Sequence, residues 1–249
     1  MRAVRTLGSV LRLYDPQAAG VTEVGSARPA QLCTCTAGRP GEPADLRSHL
    51  LADLVRRVGE RHRLLVRTWY RAGASGEAGP ALRADWEALN IHPLGPAPGP
   101  PEQPDLVIGG EVQPADARWL RSAPAHLPGD PAAVAGRGLD PLALRLALLR
   151  HHYRKPAALT WDDLAAADHL LREWRAQVAA WADSPSRPIA ASYAAGVMAA
   201  FDDDLDTPAS LATLGTLAAD PEVPPGSKFE TFAYLDHLLG LDLARDIGR

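Results

Sequence analysis

The chain has 249 residues, 46% of them hydrophobic and 22% charged, enough apolar material for a sizeable core and too much for a disordered tail. Its formal net charge of −4 contains no long block of one sign, so the footprint of strong, independent nucleic-acid binding is missing and tRNA is not an expected partner. No apolar run approaches the roughly 18 residues of a membrane span, and the opening stretch, with Arg2 and Arg5 but no long apolar run, predicts no signal peptide and a cytoplasmic location by default.

Between about residues 11 and 70, β-favouring stretches surround one helical pattern. A strand over 30–34 is followed by Leu50, Leu51, Leu54 and Val55 at helical spacing, then by the apolar run Leu64-Leu65-Val66. Strand, helix, strand is the order of a βαβ crossover feeding a parallel sheet. Residues 72–104 are dominated by Gly, Pro and Ala and read as a linker, because proline has no amide to donate. A short helix over 80–89 interrupts it, and a strand over 105–108 runs into the turn at Gly109-Gly110.

From Asp140 onward the pattern predicts five helices with short connections, a bundle. Asp140-Pro141 is an N-cap followed by proline, with Leu142, Leu146, Leu149 and Tyr153 on one face. Thr160 caps the next helix with Asp163, and Trp161, Leu164, Leu171, Trp174, Val178 and Trp181 form its stripe. A third helix runs into Phe201, Thr207-Pro208 starts a fourth, and Ser227-x-x-Glu230 is a capping box for a fifth. The division expected is an α/β domain over 1–137 and an all-α bundle over 138–249. Cys33 and Cys35, one residue apart, make neither a disulfide framework nor a complete zinc site by themselves.

The segment from Leu139 through Arg145 and Tyr153 to Pro156, with its His151-His152-Tyr153-Arg154 run, resembles the helical region of the cysteinyl-tRNA synthetase family. It is most similar to the cysteine:glucosaminyl-inositol ligases of mycothiol biosynthesis within that family. Phe201-Asp-Asp-Asp-Leu-Asp-Thr-Pro208 resembles a second hallmark of the same region, and Leu11 to Pro16, Gln31 to Thr36 and Asp53 to Arg57 are similar to its N-terminal blocks. Asp105 to Gly110 resembles the strand and Gly-rich turn that contact the adenylate. The fold this implies is a reduced class I synthetase, a Rossmann-like, HUP-type domain, followed by the bundle.

Adenylation in that family stabilises charge on the α-phosphate and the leaving pyrophosphate, which calls for fixed donors and cations. An ungapped register puts Glu42-Pro43-Ala44-Asp45 where the first, histidine-rich signature stands at a helix N-terminus, and carboxylates there repel a triphosphate. His49, four residues beyond, is expected to face solvent. The region of the second, lysine-rich signature, 119–134, has no lysine; Arg118, Arg121 and Arg137 are the cations nearby. Of the zinc ligands only Cys33 matches, unless His62 or His92 rebuilds a site with Cys33 and Cys35; His126 stands alone.

His151 and His152 are expected to serve structure within a helix, and Asp202, Asp203, Asp204 and Asp206 to form a helix junction capping Thr207 rather than a calcium loop. The ligand position expected at the strand ends gathers Cys33, Thr34, Glu42, Arg67, Gly109 and Gly110. Thr34, Gly109 and Gly110 are the candidate cofactor contacts and Cys33 is the remnant metal ligand, with no catalytic residue assigned. The resemblance thus implies a pseudoenzyme that binds a small molecule such as cysteine or a nucleotide, or a protein partner, with no cofactor. The alternatives are a minimal cysteine ligase using ATP and zinc, and a tRNA-binding accessory protein.

Overall fold

The computed structural model describes residues 10–24, 31–37, 45–70, 78–96, 104–110 and 118–248. An antiparallel hairpin of β1 (Arg12–Asp15) and β2 (Gly20–Glu23) comes first. The predicted βαβ unit is β3 (Gln31–Thr36), α1 (Leu46–Arg61) and β4 (Leu65–Tyr70), followed by α2 (Pro80–Ala88) and β5 (Gly95–Pro96). Then come β6 (Leu106–Gly109) and β7 (Arg118–Arg121).

These last five strands form one parallel sheet in the order β5-β4-β3-β6-β7. Because β4 and β5 lie on one side of β3 and β6 and β7 on the other, the chain changes direction beside β3. In such a Rossmann-like sheet a crevice opens there, outside the carboxyl ends of the strands. Gly95-Pro96, expected within an irregular linker, is in fact the edge strand β5, paired with Trp69 and Tyr70. An edge strand bonds on one side only, so proline's missing amide is tolerated.

The second half begins with β8 (Ala125–His126) and α3 (Pro131–Gly136). Five longer helices make up the predicted set: α4 (Leu142–Leu149), α5 (Trp161–Ala182), α6 (Ala191–Asp202), α7 (Thr207–Ala219) and α8 (Pro225–Leu239). β9 (Ala157–Ala158), between α4 and α5, pairs with β8. Among the described residues no helix is long and apolar enough to cross a membrane.

Local chemistry explains most of these boundaries. Thr160 and Asp163 form the expected capping box of α5, and Asp206 caps α7 by accepting from the Ala209 amide at 3.1 Å. Gly240 ends α8 at φ 65°, where a side chain would be strained. The Ser227-Glu230 box does not form. Pro224 takes the cap position of α8, and Glu230 instead accepts a bond from the Ser186 hydroxyl at 2.7 Å. Proline fixes an extended-to-helix entry three residues earlier than the box would.

α4 stops at Leu149, so His151, His152 and Tyr153 lie in the turn after the helix and not on it. One apolar core runs through both halves, with Leu51, Val55 and Leu106 continuous with Leu144, Leu171 and Phe232. Trp174 and Trp181 each meet Phe232 edge-on.

Candidate functional site at the carboxyl ends of the sheet

α1 begins beside the crevice, and its first turn is closed by the chain itself. Asp45 takes the N-cap position and its Oδ1 accepts from the Ser48 amide at 2.7 Å. A carboxylate at a helix N-terminus is favoured by the helix dipole and by the free amides. That position is where an external phosphate would otherwise be held. Glu42, the other carboxylate of the expected pair, lies outside the described residues.

β6 ends at Gly109 directly against β3. A Cβ on Gly109 would sit 2.1 Å from the Ala37 carbonyl oxygen, so the residue must be glycine for the two strand ends to approach. Gly110 follows, with the Ser122 carbonyl 3.5 Å from where its Cβ would be. Both therefore stand at the carboxyl ends. Thr34 does not. It is mid-strand, fully buried, and its Oγ1 has no partner. Cys33 and Arg67 also sit mid-strand, as register neighbours on β3 and β4.

Successive strand side chains point to opposite faces. Cys33 and Cys35 accordingly form a small cluster with Trp69, separate from the main core. A zinc ion needs four ligands, and among the described residues no group of three His, Cys, Asp or Glu is placed to hold a metal. His62 and His92 do not join the cysteines: His62 Nε2 lies 2.6 Å from Asp202 and His92 Nδ1 lies 2.6 Å from Asp53.

The Asp202 to Asp206 run disperses in the same way. Asp202 meets Arg61 at 2.5 Å, Asp203 meets Arg12 at 2.9 Å, Asp204 meets Arg154 at 2.8 Å, and Asp206 caps a helix. With each carboxylate turned to a different partner, the run is the helix junction the sequence suggests.

Beside β7, at the edge of the sheet, lies an aromatic and cationic wall that sequence reasoning did not assemble. Trp119 and Arg121 project from β7 on either side of a buried Leu120, the Trp119 indole donates to the Gly109 carbonyl at 3.1 Å, and the Arg121 guanidinium lies 5.8 Å from the Trp119 ring. Tyr14, under the Arg154 guanidinium at 4.5 Å, completes a cavity of about 470 Å³ with Tyr153 and Pro124. Arg118 and Arg137 are turned elsewhere, Arg118 to the carbonyls of the β1-β2 hairpin and Arg137 onto the Trp161 ring at 4.0 Å.

His49 is buried and meets the Trp86 ring edge-on at 5.5 Å, contrary to its expected solvent exposure. The first turn of α1 faces Trp86 on α2 there, and the imidazole fills that space. Burial lowers its pKa from 6.5 to about 4, so the fold holds the neutral ring. Between those values the unfolded chain binds the extra proton, and stability falls as pH drops from about 6.5 towards 4. The expected loss is about 3 kcal/mol. Urea titrations of wild type and His49→Phe across that window check it: the variant's curve is expected to be flatter, and parallel curves would refute the assignment.

No family model matches the chain. Among curated proteins it is similar to the L-cysteine:1D-myo-inositol 2-amino-2-deoxy-alpha-D-glucopyranoside ligase of Thermomonospora curvata, 40% identical over 111 residues, 43% of this chain and 26% of that protein. The enzyme of the same name from Streptosporangium roseum is 39% identical over 108 residues, 42% of this chain and 26% of the relative. Cysteine–tRNA ligase 1 of Burkholderia lata is 36% identical over 107 residues, 43% of this chain and 22% of the relative. The chain thus spans about a quarter of the length of these curated relatives. Over about 43% of its own length, the chain is homologous to the cysteinyl-tRNA synthetase-like family of ligases.

Proposed function

We propose that the chain is a non-adenylating member of this group, a pseudoenzyme that keeps the Rossmann-like sheet and the helices as a binding or regulatory module. The observation that carries this reading is Asp45. Its carboxylate occupies the N-terminus of α1 and bonds the Ser48 amide, so a triphosphate approaching that helix meets a fixed negative charge and an amide already satisfied. The occupant suited to the cavity beside β7 is a small molecule such as cysteine or a nucleotide, held between Trp119, Tyr14, Arg121 and Arg154 without transfer of its groups. A protein partner is the other class of occupant.

Arg121 and Arg154 favour a second reading, a minimal cysteine ligase that uses guanidiniums to neutralise phosphate charge and would require ATP and, for thiol selection, zinc. One assay separates the two. Protein incubated with cysteine, ATP, magnesium, zinc and labelled pyrophosphate is expected to return no label to ATP, while an active cysteine ligase run alongside does. Exchange above the protein-free blank would overturn the non-adenylating reading and establish the ligase.

A further inference from the structure

A second cavity lies at the β5 edge of the sheet, beside α2. It encloses about 680 Å³, a volume typical of small-molecule pockets. Tyr70 at the end of β4 and Trp86 on α2 form its aromatic corner, with ring centroids 5.5 Å apart and planes inclined at 65°. Ile91 and Leu94 add apolar wall.

The polar groups around this corner are unequal. Glu87, exposed on α2, lines the cavity, and among the described residues no side chain pairs with its carboxylate. Arg83 is turned back on the chain, its Nε donating to the Ala78 carbonyl at 3.1 Å and its side chain engaged further. His92 is bound through Nδ1 to Asp53, and Asn90 donates its amide to the Gly240 carbonyl at 3.0 Å, which leaves the Asn90 side-chain oxygen as another acceptor. The Trp86 indole Nε1 is buried with no acceptor, an arrangement that costs free energy unless something accepts from it. A net acceptor rim beside an aromatic corner disfavours an anion, and a purely apolar occupant would leave the carboxylate unused.

We propose that this cavity binds a small organic ammonium ion. The ring quadrupoles of Tyr70 and Trp86 attract the cation, Glu87 supplies the counter-charge, and Ile91 and Leu94 cover its alkyl substituents. The site shares no lining residue with the cavity of Trp119, Arg121 and Arg154, so its occupancy does not depend on whether adenylation occurs.

Choline and its uncharged carbon isostere, 3,3-dimethylbutan-1-ol, test this because they differ in charge and scarcely in shape. Titrated into the full chain and followed by calorimetry and by the Trp86 indole resonance, choline is expected to bind saturably and the isostere at least about tenfold more weakly. Glu87→Gln, a change at an exposed position, is expected to weaken choline about tenfold and to leave the melting temperature unchanged. Leu94→Trp, which fills the cavity, is expected to abolish binding. Equal affinity for the two probes, no saturable choline binding, or an unaltered Glu87→Gln variant would each overturn the proposal.

Discussion

Arg145→Met is expected to lower the unfolding free energy by about 3–5 kcal/mol, as removal of one member of a buried charge network does. Arg145 is fully buried, and its guanidinium joins four pieces of chain. It donates to Asp53 on α1 at 2.8 Å, to the Leu89 and Asn90 carbonyls after α2, and to the Leu239 carbonyl at the end of α8. Methionine fills similar volume but takes the guanidinium from the Leu89 and Leu239 carbonyls, while the Asn90 carbonyl keeps Arg57. Among the described residues Asp53 then keeps Arg57 and His92.

Burial by itself would raise the Asp53 carboxyl; Arg145, His92 and Arg57 outweigh it and hold it well below the usual carboxylate range. Its contribution is therefore complete above about pH 4, the ordinary Asp value, and is lost as acid lowers the pH further. Urea unfolding at pH 7 measures the loss. Arg12→Ala, at the exposed Arg12–Asp203 pair, is the comparison and is expected to cost less than about 1 kcal/mol. Equal costs for the two variants would mean that the buried guanidinium does not join the halves.

Arg145 also shows what was legible in the sequence. That Leu142, Leu146 and Leu149 share an apolar face was readable from their spacing; that the helix is buried at every position, Arg145 included, was not. The partner's identity was not legible, because Asp53 lies 92 residues away and only the folded chain brings them together. The βαβ order and the five helices were readable because their apolar spacing is set locally. β5 was not, since its register against Trp69 and Tyr70 is a tertiary property that Gly95-Pro96 does not signal.

The strand-end site was legible in half. Gly109 and Gly110, read as a turn and as cofactor contacts, do stand at the strand ends, but the tight approach of Gly109 to the Ala37 carbonyl had no sign in the sequence, whereas Asp45 announced its carboxylate at the start of α1. The wall of Trp119, Arg121, Arg154 and Tyr14 was scattered over three distant segments, so no spacing rule linked it. Thr34 sat close enough in sequence to look like a contact, but strand alternation and length place its side chain inside the sheet's buried face.

Asp204→Ala is expected to cost about 4 kcal/mol, through two effects that act at one residue. Asp204 stands at φ 61°, in the left-handed region where alanine is disfavoured and Asp or Asn is tolerated. Its buried carboxylate accepts from the Tyr14 amide at 2.8 Å and from the Tyr153 hydroxyl, and it pairs with Arg154. Burial, then Asp204 itself, pushes the Tyr153 hydroxyl well above the ordinary tyrosine value, so it remains a donor at every physiological pH.

Alanine would therefore strain the backbone and leave a half-buried amide and a buried hydroxyl without this acceptor. The same residue's amide donates to the Arg12 carbonyl at 2.9 Å, so the β1-β2 hairpin is tied to the helical half at this point. Asp204→Asn tolerates the backbone angle and keeps one accepting oxygen, and it is expected to recover about half of the loss. Thermal and urea unfolding of the two variants decide between causes. A graded loss supports the hydrogen-bond and backbone account, whereas equal losses would mean that the charge facing Arg154 alone holds the hairpin in place.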